Sequence, residues 1–193
     1  MRYSKGHKAQ AKAAIVREAS RTLKESGFHA VGVDALAASA QVTSGALYSN
    51  FASKEAVLEE VVAAQLGADF AVLVGQEPAE RRRLLGELLR VYLSAQHRDD
   101  PGQGCVMPAL SADVARAGGP VRAAYQHRID DVIAAFTPAM HGTEEEKRQQ
   151  AWTLLASIVG AVTIARALPA GDQAQAVLDA VLDAAMKSIT DEP

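Results

Sequence analysis

The chain has 193 residues, 49% of them hydrophobic and 22% charged, with a formal net charge of -3. That length suits one large domain or a small one joined to a larger, and the composition excludes disorder. A single cysteine, Cys105, excludes an internal disulfide framework and a multi-cysteine zinc site, and the negative charge, taken alone, argues against nucleic acid.

Apolar residues recur at helical spacing throughout, and period-two alternation is missing, so the fold class is all-α with about nine helices. The first, 6–26, repeats Ile15, Ala19 and Leu23 and stops at Gly27. Short helices follow at 33–40 and 44–50. A fourth starts after the N-cap Ser53 and runs to Val74; a fifth, 78–97, carries a leucine face. RDDPGQG (98–104) is a break. A sixth helix, 106–117, ends at Gly118-Gly119, and Pro120 opens a seventh to Met140, fraying at Pro138. Thr143 with Glu146, and Asp172 with Gln175, read as capping boxes for an eighth helix to Leu168 and a ninth at 173–189.

The apolar stretch 154–165 is too short to cross a bilayer and reads as a buried helix. The polar, basic N-terminus carries no export signal, so the expected location is cytoplasmic.

Charge is distributed unevenly. Residues 1–54 carry 8 basic and 3 acidic side chains, a net +5; the other 139 hold 12 basic and 20 acidic, a net -8. A basic head on an acidic body is the asymmetry of a nucleic-acid-binding protein.

Within the head, VDALAASAQVTSGALYSNF (33–51) reads as two short helices joined by a tight turn at Gln41-Val42-Thr43. Leu36, Ala37, Ala40, Val42, Leu47 and Phe51 have the spacing to pack them together. Thr43 or Ser44 caps the second helix, leaving its N-terminal N–H groups for phosphate. Its outward residues Ser44, Gly45, Ala46, Tyr48, Ser49 and Asn50 are small or neutral hydrogen-bonding groups, which lets the backbone approach a groove. This is the form of a helix-turn-helix. The arm Arg2-Tyr3-Ser4-Lys5-Gly6 either enters a minor groove or frays.

Residues 27–58 resemble the DNA-binding signature of the tetracycline-repressor (TetR) family. The matching marks are Gly27-Phe28, Leu36-Ala37, Ala40, Val42-Thr43, Gly45, Leu47-Tyr48, Phe51 and Ser53-Lys54-Glu55. The resemblance implies a homodimeric repressor of double-stranded operator DNA, with a head at 1–53 and a ligand-binding and dimerisation body at 54–193. It implies phosphate contacts from Tyr48 and Lys54, and base-facing positions at Ser44, Ala46 and Ser49. Two residues depart from it: Gly32 replaces a capping Thr or Ser, and Gln41 replaces the turn Gly, which puts a non-Gly residue in the left-handed region.

In the body, Ala156, Gly160, Ala161, Val181, Leu182 and Ala185 are the candidate dimer interface, the other reading being monomer core. Gln65, Asp69, Tyr92, Gln96, Cys105, Tyr125 and Trp152 are candidate contacts of a small apolar or electrophilic inducer. The Gly104-Cys105 pair resembles an element of the N-ethylmaleimide-reductase repressor branch, which senses electrophiles; a thiol at a helix N-terminus favours its reactive thiolate, the alternative being an inert buried cysteine. The five histidines show no metal spacing, and neither a catalytic constellation nor a cofactor motif emerges. An all-α enzyme and a helical protein-interaction module are the competing classes.

Overall fold

Every regular element among the described residues is helical, as an Ala-rich, aromatic-poor composition favours. The computed structural model describes residues 5–190, with side chains from residue 9 onward. Arg2, Tyr3 and Ser4 of the arm lie outside them. The ten described α-helices are α1 Lys5–Ser26, α2 Val33–Ser39, α3 Ser44–Tyr48, α4 Lys54–Gln65, α5 Pro78–Tyr92, α6 Ala95–Asp99, α7 Val106–Arg116, α8 Gly119–Phe136, α9 Glu144–Ala167 and α10 Asp172–Thr190.

Several expected boundaries are corrected. The fourth helix stops at Gln65, not Val74: Leu66 is extended, Gly67 is left-handed at φ 69°, and Ala68–Leu73 winds as a 3-10 helix. The fifth divides at Ser94, whose hydroxyl accepts the His97 N–H at 3.2 Å and so starts α6. The seventh ends at Phe136, because Pro138 lacks the N–H that would continue it, and Thr137–Ala139 is 3-10. The Thr143–Glu146 capping box forms. The Asp172–Gln175 box does not: Asp172 is already inside α10, and the Gln175 amide donates forward to Asp179 at 2.8 Å.

The chain falls into two compact units, Met1–Leu66 with Pro101–His127, and Gly67–Asp100 with Arg128–Pro193. In the first, α1 is the central element, packing on α2, α4 and α7. Its core includes Ile15, Leu23, Leu36, Leu47, Phe51 and Leu58. Polar ties reinforce it: Ser20 donates to Gln65 Oε1 at 2.6 Å, and Lys24 donates to the Gly104 carbonyl at 2.8 Å. This unit extends beyond residue 53, because α4 and α7 both pack on α1.

In the second unit α10 packs along α9 and against α5. The buried Arg81 guanidinium donates to the carbonyls of Ala135 and Gln76, both at 3.0 Å, tying the start of α5 to the end of α8. Arg166 of α9 donates to the carbonyls of His97 and Arg98.

Candidate nucleic-acid interface

Helices α2 and α3 are joined by Ala40–Thr43 through a backbone that the sequence had to strain. Gln41 stands at φ 56°, the one non-Gly residue with positive φ among those described. The turn closes with the N–H groups of Gln41 and Val42 donating to Ala38 and Ala37. Leu36, Ala37 and Leu47 are buried between the helices, so their register is fixed by packing. Gly32 precedes α2 with no side-chain cap, as its missing hydroxyl dictates.

Thr43 is the N-cap of α3: its Oγ1 accepts the Ala46 N–H at 3.1 Å. A five-residue helix is too short to be stable alone, so this bond and the buried Leu47 hold it. Tyr48 projects from it, 52% exposed. The remaining polar side chains are largely committed. Ser44 donates to Asp34 Oδ1 at 2.5 Å, and Ser49 and Asn50 both donate to the Ala46 carbonyl at 2.8 Å. The exposed surface of α3 is thus dominated by Gly45, Tyr48 and backbone.

Electrostatics narrow the head further. Most of its described cations are internally engaged: Lys12 pairs with Glu60, Arg17 with Glu18 and Arg21 with Glu25, while Lys24 is on the Gly104 carbonyl. Lys54 differs. It opens α4 behind the N-cap Ser53, and its ammonium meets no carboxylate among the described residues; it lies 4.1 Å from the centroid of the Phe28 ring. The bare +5 therefore overstates the head's free positive charge, and Lys54 carries more of it than the count suggests.

Residues 15–61 match the family model of bacterial regulatory proteins, tetR family. The head is a tetR-family domain. The likeness of the whole chain extends to solved structures. Reduced NemR of E. coli superposes with a TM-score of 0.76 at 21% identity, covering 95% of this chain and 98% of that one. A tetR-family transcriptional regulator from Agrobacterium tumefaciens gives 0.74 at 17%, covering 95% and 100%. FadR of Bacillus subtilis in complex with stearoyl-CoA gives 0.67 at 16%, covering 92% and 98%. No curated protein sequence matches the chain. The all-α architecture, a tetR-family helix-turn-helix domain followed by a helical domain, is thereby established.

The tetR-family head holds Thr43, Ser44, Gly45, Ala46, Tyr48, Ser49, Asn50 and Lys54 on α3 and the start of α4. The inducer candidates are distributed over both compact units. In the first, Gln65 is bonded to Ser20, while Cys105 is buried at the start of α7, its sulfur accepting the Met107 N–H at 3.4 Å. Tyr125 lies 2.7 Å from Ser111, whose own proton goes to the Met107 carbonyl, so the phenol donates. Burial pushes the Tyr125 hydroxyl above its ordinary range. In the second, Tyr92 is buried against Phe70, with ring centroids 6.0 Å apart; Asp69 and Gln96 are exposed, and Trp152 is 42% exposed on α9. A separate cavity of about 490 Å³ in that unit is lined by Phe70, Val74, Arg81, Asp131, Val132 and Pro138, none of them among the inducer contacts expected from the sequence.

Of the interface candidates, Ala156 is exposed and Gly160, Val181 and Leu182 are half-buried. Ala161 and Ala185 are buried within the chain. A groove of about 360 Å³ runs between α9 and α10, lined by Gln149, Thr153, Ser157, Val181, Ala184 and Ser188. Among the described residues, no group of three or more His, Cys, Asp and Glu side chains is placed to hold a metal ion. Sequence reasoning missed Phe28 as a partner of Lys54 and Asp34 as a partner of Ser44. Phe28 carried a signal as part of the family mark, but nothing local pairs it with a residue 26 positions on.

Proposed function

We propose that this protein is a ligand-responsive transcriptional repressor that binds a near-palindromic operator as a homodimer in the cytoplasm. One observation carries the reading: a Thr43-capped short helix presents Gly45 and Tyr48 in the same unit as a lysine, Lys54, whose charge no carboxylate among the described residues compensates. Two such helices related by a twofold fit successive major grooves about 34–36 Å apart, and an inducer needs only to change that separation. Tyr48 and Lys54 grip phosphates. Ala46 and the backbone at Gly45 approach base edges, while the committed hydroxyl of Ser44 presents lone pairs rather than a proton.

The dimer interface in this reading is the open face of α9 and α10. Ala156, Gly160 and Val181 lie on it beside Trp152 and the 53% exposed Ile164. Small residues there permit close helix approach, whereas Ala161 and Ala185 back the face from within. Cys105 is the candidate electrophile sensor, since its sulfur caps α7 and an adduct would remove that cap.

Electrophoretic retardation of the DNA upstream of the protein's own gene tests the function; no shift at low salt favours an all-α enzyme or an interaction module instead. Lys54→Ala is expected to weaken binding across sequences and lower the salt slope by about one per protomer. A monomer in sedimentation at micromolar concentration refutes the dimer. A full electrophile response in Cys105→Ser removes the sensor role.

A further inference from the structure

We propose that Phe28 is a positioning residue for DNA binding: its ring holds the Lys54 ammonium in place at the head, and Asp113 of α7 fixes the loop that carries the ring. The proposal rests on the reading of Lys54 as a phosphate contact and deepens it.

The geometry is that of a cradle. Lys54 Nζ lies 4.1 Å from the ring centroid, inside the roughly 6 Å range of cation–π attraction. Phe28 is itself held from several sides. Gly27 ends α1 in the left-handed conformation at φ 81°, which turns the chain sharply into Phe28. The Phe28 N–H points to Asp113 Oδ2 at 3.4 Å, and the His29 ring packs edge-on, with centroids 5.3 Å apart. Asp113 is buried, and a buried carboxylate persists only where it is partnered. Arg116 approaches its Oδ1 at 3.3 Å and His29 Nε2 approaches the same oxygen at 3.8 Å.

Three of the four other described cations of the head, Lys12, Arg17 and Arg21, rest on carboxylates, which a phosphate would have to displace. A ring face restrains an ammonium without neutralising it, and leaves its N–H groups on the other side free to donate. A lysine ordered before binding loses less rotamer freedom when it meets a phosphate. The expected contribution is therefore to affinity, with the number of released counterions unchanged.

The test combines the free protein with a double-mutant cycle. In wild type labelled at lysine Cε, the Lys54 ε-methylene protons are expected upfield of the other lysines, as they adjoin an ammonium that lies over a ring, and Phe28→Leu should return them to the common position. Phe28→Leu is expected to weaken operator binding about 2- to 12-fold per protomer, the cost of ordering one long side chain, with the salt slope unchanged. Phe28→Tyr, which keeps the ring, should bind as wild type. On a Lys54→Ala background Phe28→Leu should cost nothing more. An equal loss on both backgrounds overturns the proposal, because it marks a purely structural role. An unshifted Lys54 resonance in wild type overturns it without any variant. Wild-type protein that leaves the operator unshifted refutes the DNA-binding reading itself, a result seen before any variant is compared.

Discussion

Replacing Gly67 by alanine is expected to destabilise the protein by about 2–4 kcal/mol through two separable effects. Gly67 ends α4 at φ 69°, a conformation that costs an L-residue roughly 1–2 kcal/mol. A Cβ added there would stand 2.3 Å from Val132 Cγ2, against the ~3.5–4.0 Å of an ordinary carbon–carbon contact. Val132 is buried on α8 and β-branched, so a helix leaves it one strongly preferred rotamer and no easy retreat. Overpacking of this kind costs about 1–3 kcal/mol, and the reduced freedom of the unfolded chain returns roughly 0.4–1. Urea unfolding at fixed protein concentration, followed by circular dichroism, measures the difference. Val132→Ala on the Gly67→Ala background should cost at least about 1 kcal/mol less than on wild type, since the clashing methyl is gone. A Gly67→Ala change below about 0.5 kcal/mol, or strict additivity with Val132→Ala, would refute the reasoning.

Thr43→Ala removes the acceptor for the Ala46 N–H and is expected to cost about 1 kcal/mol in urea unfolding, while Thr43→Ser retains most of it. Gln41→Gly relieves the positive φ of the turn and should raise stability by up to ~1 kcal/mol; a lower melting temperature would contradict this. Glu146 is held below the ordinary carboxylate range by the N–H and hydroxyl of Thr143. A depressed folded value means that the capping box stabilises fully above about pH 4.5 and loses this as pH falls through the folded value. A carbon-detected titration should place its midpoint below the ordinary carboxylate range, and Thr143→Val should raise it. Leu47→Ala, at a fully buried position between α2 and α3, is expected to cost about 2–5 kcal/mol and to abolish operator retardation.

Much of the fold was legible because its signals are local. Ser53 and Thr143 cap the helices that the sequence assigns to them, Thr43 is the one of the two candidates Thr43 and Ser44 that caps α3, and the left-handed Gln41 follows from a non-Gly residue in a tight turn. The breaks at Gly67 and Ser94 lie inside stretches that the sequence assigns to single helices, because no proline stands at either to mark where the backbone turns. The residues of the site were named from type and spacing, but their freedom was not. Whether Ser44 offers a proton depends on Asp34, ten residues away, and whether Lys54 is free depends on where every carboxylate of the unit lies.

The sequence by itself determined helical content, caps, the helix-turn-helix and the uneven charge, since each is a property of neighbours within a few turns. Only the tertiary structure decided which charges cancel. Lys12 meets Glu60 from 48 residues away, and Asp113 reaches Phe28 from 85, separations across which composition carries no pairing information. The net charge of -3 and the head's +5 are both sums over side chains. What acts on a phosphate is the remainder after folding has paired them.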